Sequence, residues 1–249
     1  MLIGGSPCFT KGPNVLTVDG YKDISEITTE DTVVSHDGSV NKVNMIGNKL
    51  SSIIKFRCQG SLPVKTTKNH PYYSGVMGAD KKISSVKFRE IKDLSKGMYV
   101  GMQINSNSED IYNLSNDELY VIGRYIADGH TRKDYKKSGA RYYQLILSVG
   151  NSKISDFNNI KLHYSCYNHT KSTYRIVFSN KRLVDIVEKE CGSGALNKII
   201  SYNLLNLPKD KLSVLLTGYL DGDGCITNGT HKCTTISRKL AESLCLVIA

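Results

Sequence analysis

The sequence predicts two halves: an all-β N-terminal part, then an α/β part built from a duplicated helix–strand unit. Three observations predict this. Residues 8–104 read as short strand-like runs parted by turn signals. At Ser115 the texture changes, with a helix-start signature and helical spacing of apolar residues. Finally, "VIGRYIADG" (121–129) returns as "LLTGYLDGDG" (215–224), an internal repetition.

The first half is carried by "NVLTVDGYKDI", "TVVSHDGSVNKV", "SSIIKFRCQG" and "LPVKTTKNHPYYS". Each alternates β-branched or aromatic residues with polar ones, and Gly, Asn or Asp punctuates them. The polar segment 104–117 breaks the pattern, which places a linker at 105–114 and a second domain at 115–249. Ser115 and Glu118 form a capping box, and Leu119, Ile122, Tyr125 and Ile126 follow at helical spacing. Gly129 is expected to stop this helix in the left-handed conformation. In "ARYYQLILSV", Tyr143, Leu145, Leu147 and Val149 face one way and Tyr142, Gln144 and Ser148 the other. "STYRIVFS" sets Thr173 and Arg175 opposite Tyr174, Ile176 and Phe178 in the same manner. "KRLVDIVEKEC" reads as a short amphipathic helix, and Pro208 suits the first turn of the helix that carries the second phrase.

A chain of 249 residues can hold one large or two modest domains. No apolar run is long enough to span a bilayer, and "MLIGGSPCF" lacks the basic start and apolar core of a signal peptide. An intracellular location is therefore expected, cytoplasmic or nucleoid-associated. The seven cysteines are scattered and form no CxxC, which argues against a disulfide framework or a zinc site. The net charge is +10, and its placement is informative. Between His130 and Arg182 there are eleven Lys/Arg against two Asp/Glu, with tyrosines interleaved. A one-signed stretch that also reads as strands favours a groove for a polyanion over a merely solvated face.

The repeated phrase has a chemical reading. Each copy sets small residues four apart, Gly123 with Ala127 and Gly218 with Gly222, so two helix backbones can approach closely. Each then places a carboxylate, Asp128 or Asp223, at a helix C-terminus. That end already carries partial negative charge. Paired acids there call for a cation, and Mg²⁺ held by carboxylate and phosphate oxygens fits. A single Asp-Gly is usually a turn, and a calcium-loop reading fails because position 232 is lysine.

These residues resemble the LAGLIDADG homing endonucleases over residues 115–249. The resemblance implies duplicated αββαββα-type units, the second incomplete here, in a monomer with internal pseudo-two-fold symmetry. It implies metal-dependent double-strand DNA cleavage, with Asp128 and Asp223 as catalytic metal ligands. The first copy departs from the motif by having Ile126 at its first Asp position. "NKIIS" (197–201) is similar to the family's Lys-x-Ile-Pro block, which makes Lys198 a catalytic candidate, although Ser201 stands at the proline and a plain surface lysine is the competing reading. The implied strands form a saddle over duplex DNA. Gln144 and Arg175 would read bases, while Lys136, Lys137 and Arg141 would hold phosphates.

In the first half, Cys8 is a potential nucleophile, and Thr67 and His70 offer a hydroxyl and an imidazole three residues apart. Residues 8–104 resemble the N-terminal splicing blocks of inteins: Cys8 matches the first residue, and Thr67 and His70 match the Thr-x-x-His block. The implied fold is the all-β Hint horseshoe. The implied chemistry is an N-to-S acyl shift. The Cys8 sulfur attacks the Pro7 carbonyl carbon, the peptide C–N bond breaks, and His70 protonates the departing Cys8 nitrogen. Thr67 would hold the oxyanion or orient the bond. Residues 1–7 are then a host remnant, and "GGSPC" is similar to the Pro-Cys loop of DNA cytosine-5 methyltransferases. No His-Asn dipeptide occurs, so the chain is expected to be the front part of a larger element whose flanking host segments are its splicing partners, and to cut DNA poorly by itself. The alternatives are a LAGLIDADG protein that binds nucleic acid without cutting it, as maturases and regulators do, and an inactive intein fragment.

Overall fold

The computed structural model describes residues 7–59, 61–101, 108–135, 139 and 141–248, the side chains of Tyr135 and Ile248 apart. The chain divides into two compact units, Met1–Ser106 and Asn107–Val247. Every strand pairing described is antiparallel.

The first unit is built from short strands. β1 (Asn14–Thr17), β2 (Gly20–Asp23), β3 (Thr32–Val34) and β4 (Val40–Lys42) form a sheet in the order β2-β1-β3-β4. β5 (Ile53–Phe56) pairs with β6 (Val64–Thr67). β7 (Pro71–Met77) lies between β8 (Ile83–Glu90) and β9 (Met98–Val100). At the first hairpin Gly20 sits at φ +104, and the Thr17 hydroxyl donates to its carbonyl oxygen at 2.7 Å. This left-handed position suits glycine, whereas a Cβ there would be strained.

The second unit opens with α1 (Asn116–Asp128). Ser115 Oγ accepts from the Glu118 amide at 3.2 Å, and Glu118 Oε2 accepts from the Ser115 amide at 3.0 Å. Both halves of the capping box are thus made. β10 (Gly129–Tyr135), β11 (Arg141–Gly150), β12 (Ser165–Asn168) and β13 (Thr173–Phe178) form a sheet in the order β10-β11-β13-β12. A 3-10 segment, Asn151–Phe157, follows β11. α2 (Lys181–Cys191), capped by the Asn180 side chain, lays Leu183, Val184, Ile186 and Val187 into the core. Leu145, Leu147, Ile176 and Phe178 are buried with them, as strand alternation requires. The short α3 (Tyr202–Leu205) and α4 (Lys209–Asp223) come next, then the hairpin of β14 (Cys225–Thr227) and β15 (Thr230–Lys232), and α5 (Arg238–Ile248).

Two local expectations need correction. Gly129 is not left-handed: it is extended, at φ −102 and ψ 156, and leads directly into β10. Glycine is required there by crowding, because a Cβ would stand 2.7 Å from Tyr125 Cδ2 and 2.9 Å from Tyr125 O. Pro208 lies one position earlier than expected, as the N-cap of α4 rather than in its first turn.

Candidate functional site

α1 and α4 cross at the repeated phrases. A Cβ on Gly123 would overlap Leu215 O and lie 2.7 Å from the Tyr219 amide nitrogen. A Cβ on Gly218 would overlap Tyr120 O. A Cβ on Gly222 would collide with the Ala127 methyl and stand 3.5 Å from Asp128 Oδ2. Backbone therefore meets backbone along this face, and a side chain at any of the three positions would force the helices apart. The contact brings the C-terminal ends of both helices together. Asp128 and Asp223 stand there, both open to solvent. Tyr120 on α1 donates to Asp221 Oδ2 on α4 at 3.0 Å, a further tie across the crossing.

The electrostatics of this end are unfavourable without a counter-charge. The pKa of Asp223 is raised, first by desolvation against the surrounding protein and then by the charge of Asp128. Lys153, Arg124 and Lys198 oppose that shift. Lys198 is not a surface residue: only 5% of it is exposed. Its ammonium donates to Tyr125 O at 2.7 Å and Gly129 O at 3.1 Å, so it holds the junction of α1 with β10. It also lies 3.1 Å from the centre of the Tyr125 ring. Burial pulls its pKa down to about 8, with the nearby Cys191 and Asp223 acting against that shift. Ser201 caps α3 through the Leu204 amide and donates to the buried Glu190 carboxylate.

Three further residues of this end escaped the sequence reading. Lys153 Nζ donates to Gly222 O at 2.6 Å, at the C-terminus of α4. Arg124, 1% exposed, bonds Asp156 Oδ2 at 3.1 Å. Tyr120 makes the tie to Asp221. An arginine among the apolar positions of an amphipathic helix was the one available signal; nothing local marked Lys153.

The sheet offers one open face. Arg132 pairs in register with Gln144, and Ser148 with Arg175. These share a face with Tyr142, Asp134 and, opposite Arg175 on β12, Tyr167. Arg175 is exposed and Gln144 half-buried. Arg141 is exposed, its guanidinium 5.5 Å from the Tyr143 ring centre. A groove of about 560 Å³ is lined by Arg132, Arg141, Tyr142, Tyr143, Gln144, Ser179 and Lys181. Lys136 and Lys137 lie outside the described residues. Lys133 and Lys181 are paired with acids of α2, Lys133 with Glu188 and Lys181 with Asp185.

In the first unit Cys8 is clasped by β6. Its amide donates to Thr67 Oγ1 at 3.0 Å, and its carbonyl oxygen accepts from Thr66 Oγ1 at 2.8 Å and the Thr67 amide at 2.9 Å. Thr66, also missed in the sequence, is fully buried. His70 lies three residues beyond Thr67, its ring 4.0 Å from that of Phe9. His70 Nδ1 is buried with no hydrogen-bond partner among the described residues, and burial lowers the imidazole pKa. Cys8 and Thr67 are thus joined directly, with Thr67 on the nitrogen of the Pro7–Cys8 bond rather than on its carbonyl, and the His70 ring stands against Phe9, the residue after Cys8.

No family model matches the chain. The chain is similar to the ATP-dependent DNA helicase Hel308 of Methanocaldococcus jannaschii, 29% identical over 255 residues, which takes in 97% of this chain and 20% of the helicase. It is similar also to Hel308 of Thermococcus kodakarensis, 22% identical over 311 residues, 97% of this chain and 27% of that one. The chain therefore spans about a quarter or less of these relatives. Among solved structures, I-DmoI in complex with DNA and Mn aligns at 15% identity and a TM-score of 0.32, covering 45% of this chain and 64% of that chain. At that TM-score the likeness carries no argument about this chain.

Proposed function

We propose that the chain is an intein-type element: a Hint horseshoe splicing domain over residues 8–104 and a LAGLIDADG endonuclease domain over 115–249. The observation that carries the nuclease reading is the helix crossing, which delivers Asp128 and Asp223 to one solvent-open end. Among the described residues no three His, Cys, Asp or Glu side chains cluster. Two carboxylates alone suit Mg²⁺, which binds through one or two protein oxygens and completes its shell with water and substrate phosphate. Asp128 and Asp223 would hold the ion, and the bound ion would supply charge stabilisation at the phosphate. Lys198, held beside Asp223 with a lowered pKa, is suited to hold or pass a proton there. Arg132, Gln144 and Arg175 on the open sheet face are placed to meet base edges, and Arg141 to meet a phosphate.

The splicing reading rests on the Cys8, Thr67 and His70 cluster. The Cys8 sulfur forms the bond to the Pro7 carbonyl carbon, and the nitrogen leaves as an amine that has gained a proton. Thr67 Oγ1 already holds the N–H of that nitrogen, which restrains the scissile bond. The two helicase relatives support the nested arrangement. Both halves of this chain align together within much longer proteins, 20% and 27% of which the alignment takes in, as an insert in a host would. For this chain's own host, the "GGSPC" flank keeps a cytosine-5 methyltransferase as the proposal.

A pool of randomised duplexes tests the nuclease reading. Incubated with the protein in Mg²⁺, the pool is expected to yield cut molecules that share a long site. Retention of a shared site without cutting would favour the binding-only alternative. Neither retention nor cutting would reject both.

A further inference from the structure

We infer that Arg124 is a positioning residue for one side of the paired-acid end: through Asp156 it fixes the 3-10 segment that sets Lys153 on the C-terminal carbonyl of α4. The inference rests on the nuclease reading only for its catalytic consequence. Its structural content stands on the contacts alone.

Arg124 is an expensive residue in its place. Its guanidinium is buried, its Nη1 bonds Asp156, and its Nε and Nη2 have no hydrogen-bond partner among the described residues. A buried cation with unused donors costs stability relative to an apolar side chain. Its ring contact is with Phe157, 5.1 Å from the guanidinium carbon to the ring centre. Phe157 is itself 1% exposed. Arg124 therefore grips two consecutive residues, 156 and 157, at the end of Asn151–Phe157. In a 3-10 helix, residues three apart eclipse. Lys153 and Asp156 are three apart and leave the segment on one face, so a hold on Asp156 sets the face from which Lys153 departs. That lysine then reaches Gly222 O at 2.6 Å, next to Asp223.

The device has no twin. Aligning Gly123 with Gly218 puts Tyr219 at the position of Arg124. On the other side, the junction of α1 with β10 is held by Lys198, which comes from the segment before α3. The two sides of the acid pair are thus built from different parts, and loss of Arg124 should disable one and spare the other.

The test labels lysine side chains with ¹³C and follows the Lys153 and Lys198 signals by NMR, each assigned by its Lys→Arg variant. Arg124→Met is expected to move the Lys153 signal to the position of a free lysine and leave that of Lys198 unchanged. Arg124→Lys, which keeps the charge, should restore Lys153 in part. If Arg124→Met does not fold, Asp156→Ala removes the acceptor of the same link at the surface and should give the same shift. A Lys153 signal unmoved in a folded Asp156→Ala protein would overturn the inference, as would equal movement of both lysines. These readings hold whether or not the protein cuts DNA, so a chain that never cuts would sink the nuclease reading without touching this one. In a protein that cuts, Asp156→Ala should slow cleavage of one strand by about tenfold and accumulate nicked duplex. Equal slowing of both strands would contradict the one-sided role.

Discussion

Lys198 shows how much of a residue's chemistry is decided by distant contacts. Its sequence neighbours, "NKIIS", fit a surface lysine as well as a catalytic one. The fold buries it where α1 passes into β10, and its ammonium meets the carbonyls of Tyr125 and Gly129 there. Burial lowers its pKa to about 8 from the ordinary 10.5. Between those values the folded chain leaves Lys198 neutral where the unfolded chain protonates it, so this residue's contribution to stability should rise with pH across that window, against the buried thiols and phenols, whose raised pKa values act the other way. Thermal melts of Lys198→Met from pH 8 to 10.5 should therefore gain less, or lose more, stability with pH than those of the parent, provided the variant folds. Cys8 and His70 make a second case, since their type and order were legible while the clasp by Thr66 was not. Added thiol is expected to release residues 1–7, measured by mass, and Cys8→Ala to stop that release. His70→Ala should slow it by about 10²–10⁴-fold, the usual worth of a positioned acid. Thiol-dependent release that survives Cys8→Ala would remove the splicing assignment.

At the scale of elements, local signals were legible and long-range pairings were not. The capping box of α1 followed from short-range hydrogen bonds, which depend on spacing alone, and the span of α2 from its amphipathic period. Alternation in β11 and β13 gave the two faces of the sheet, because the side-chain period of a strand is fixed. The order β10-β11-β13-β12 and the place of the 3-10 segment depend on packing that no local pattern encodes. Gly129 misled for a related reason: its glycine answers the Tyr125 backbone and ring, not a left-handed turn. The helix crossing supplies a stability prediction. Gly218→Leu must displace the α1 backbone at Tyr120, so a loss of several kcal/mol, or more than about 3, is expected in urea melts. Thr217→Ala, on the exposed side of α4, should cost well under about 1 kcal/mol. The open sheet face supplies another. Arg141→Glu should weaken binding to every duplex and flatten its salt dependence. Arg175→Ala or Gln144→Ala should cost about 1–3 kcal/mol at one base position and relax preference there. Duplex binding that ignores salt would count against a phosphate-tracking groove.

For the whole molecule, the repeated phrase carries the account. One copy brings one helix, one run of small residues and one acid; two copies, crossed, bring two acids to a single end. In the proposed function, cutting both strands of a duplex needs two related sites, and duplication within one chain would provide them. Neither acid alone accounts for the phrase being written twice. The most direct measurement is therefore strand cleavage by the acid variants, on a site selected from the randomised pool, in Mg²⁺. Asp128→Asn and Asp223→Asn keep the side-chain shape and remove the charge that a divalent cation requires. Each is expected to bind the site with nearly unchanged affinity and to lose double-strand cutting, leaving nicked duplex at most. Full double-strand cleavage by both variants would contradict the account.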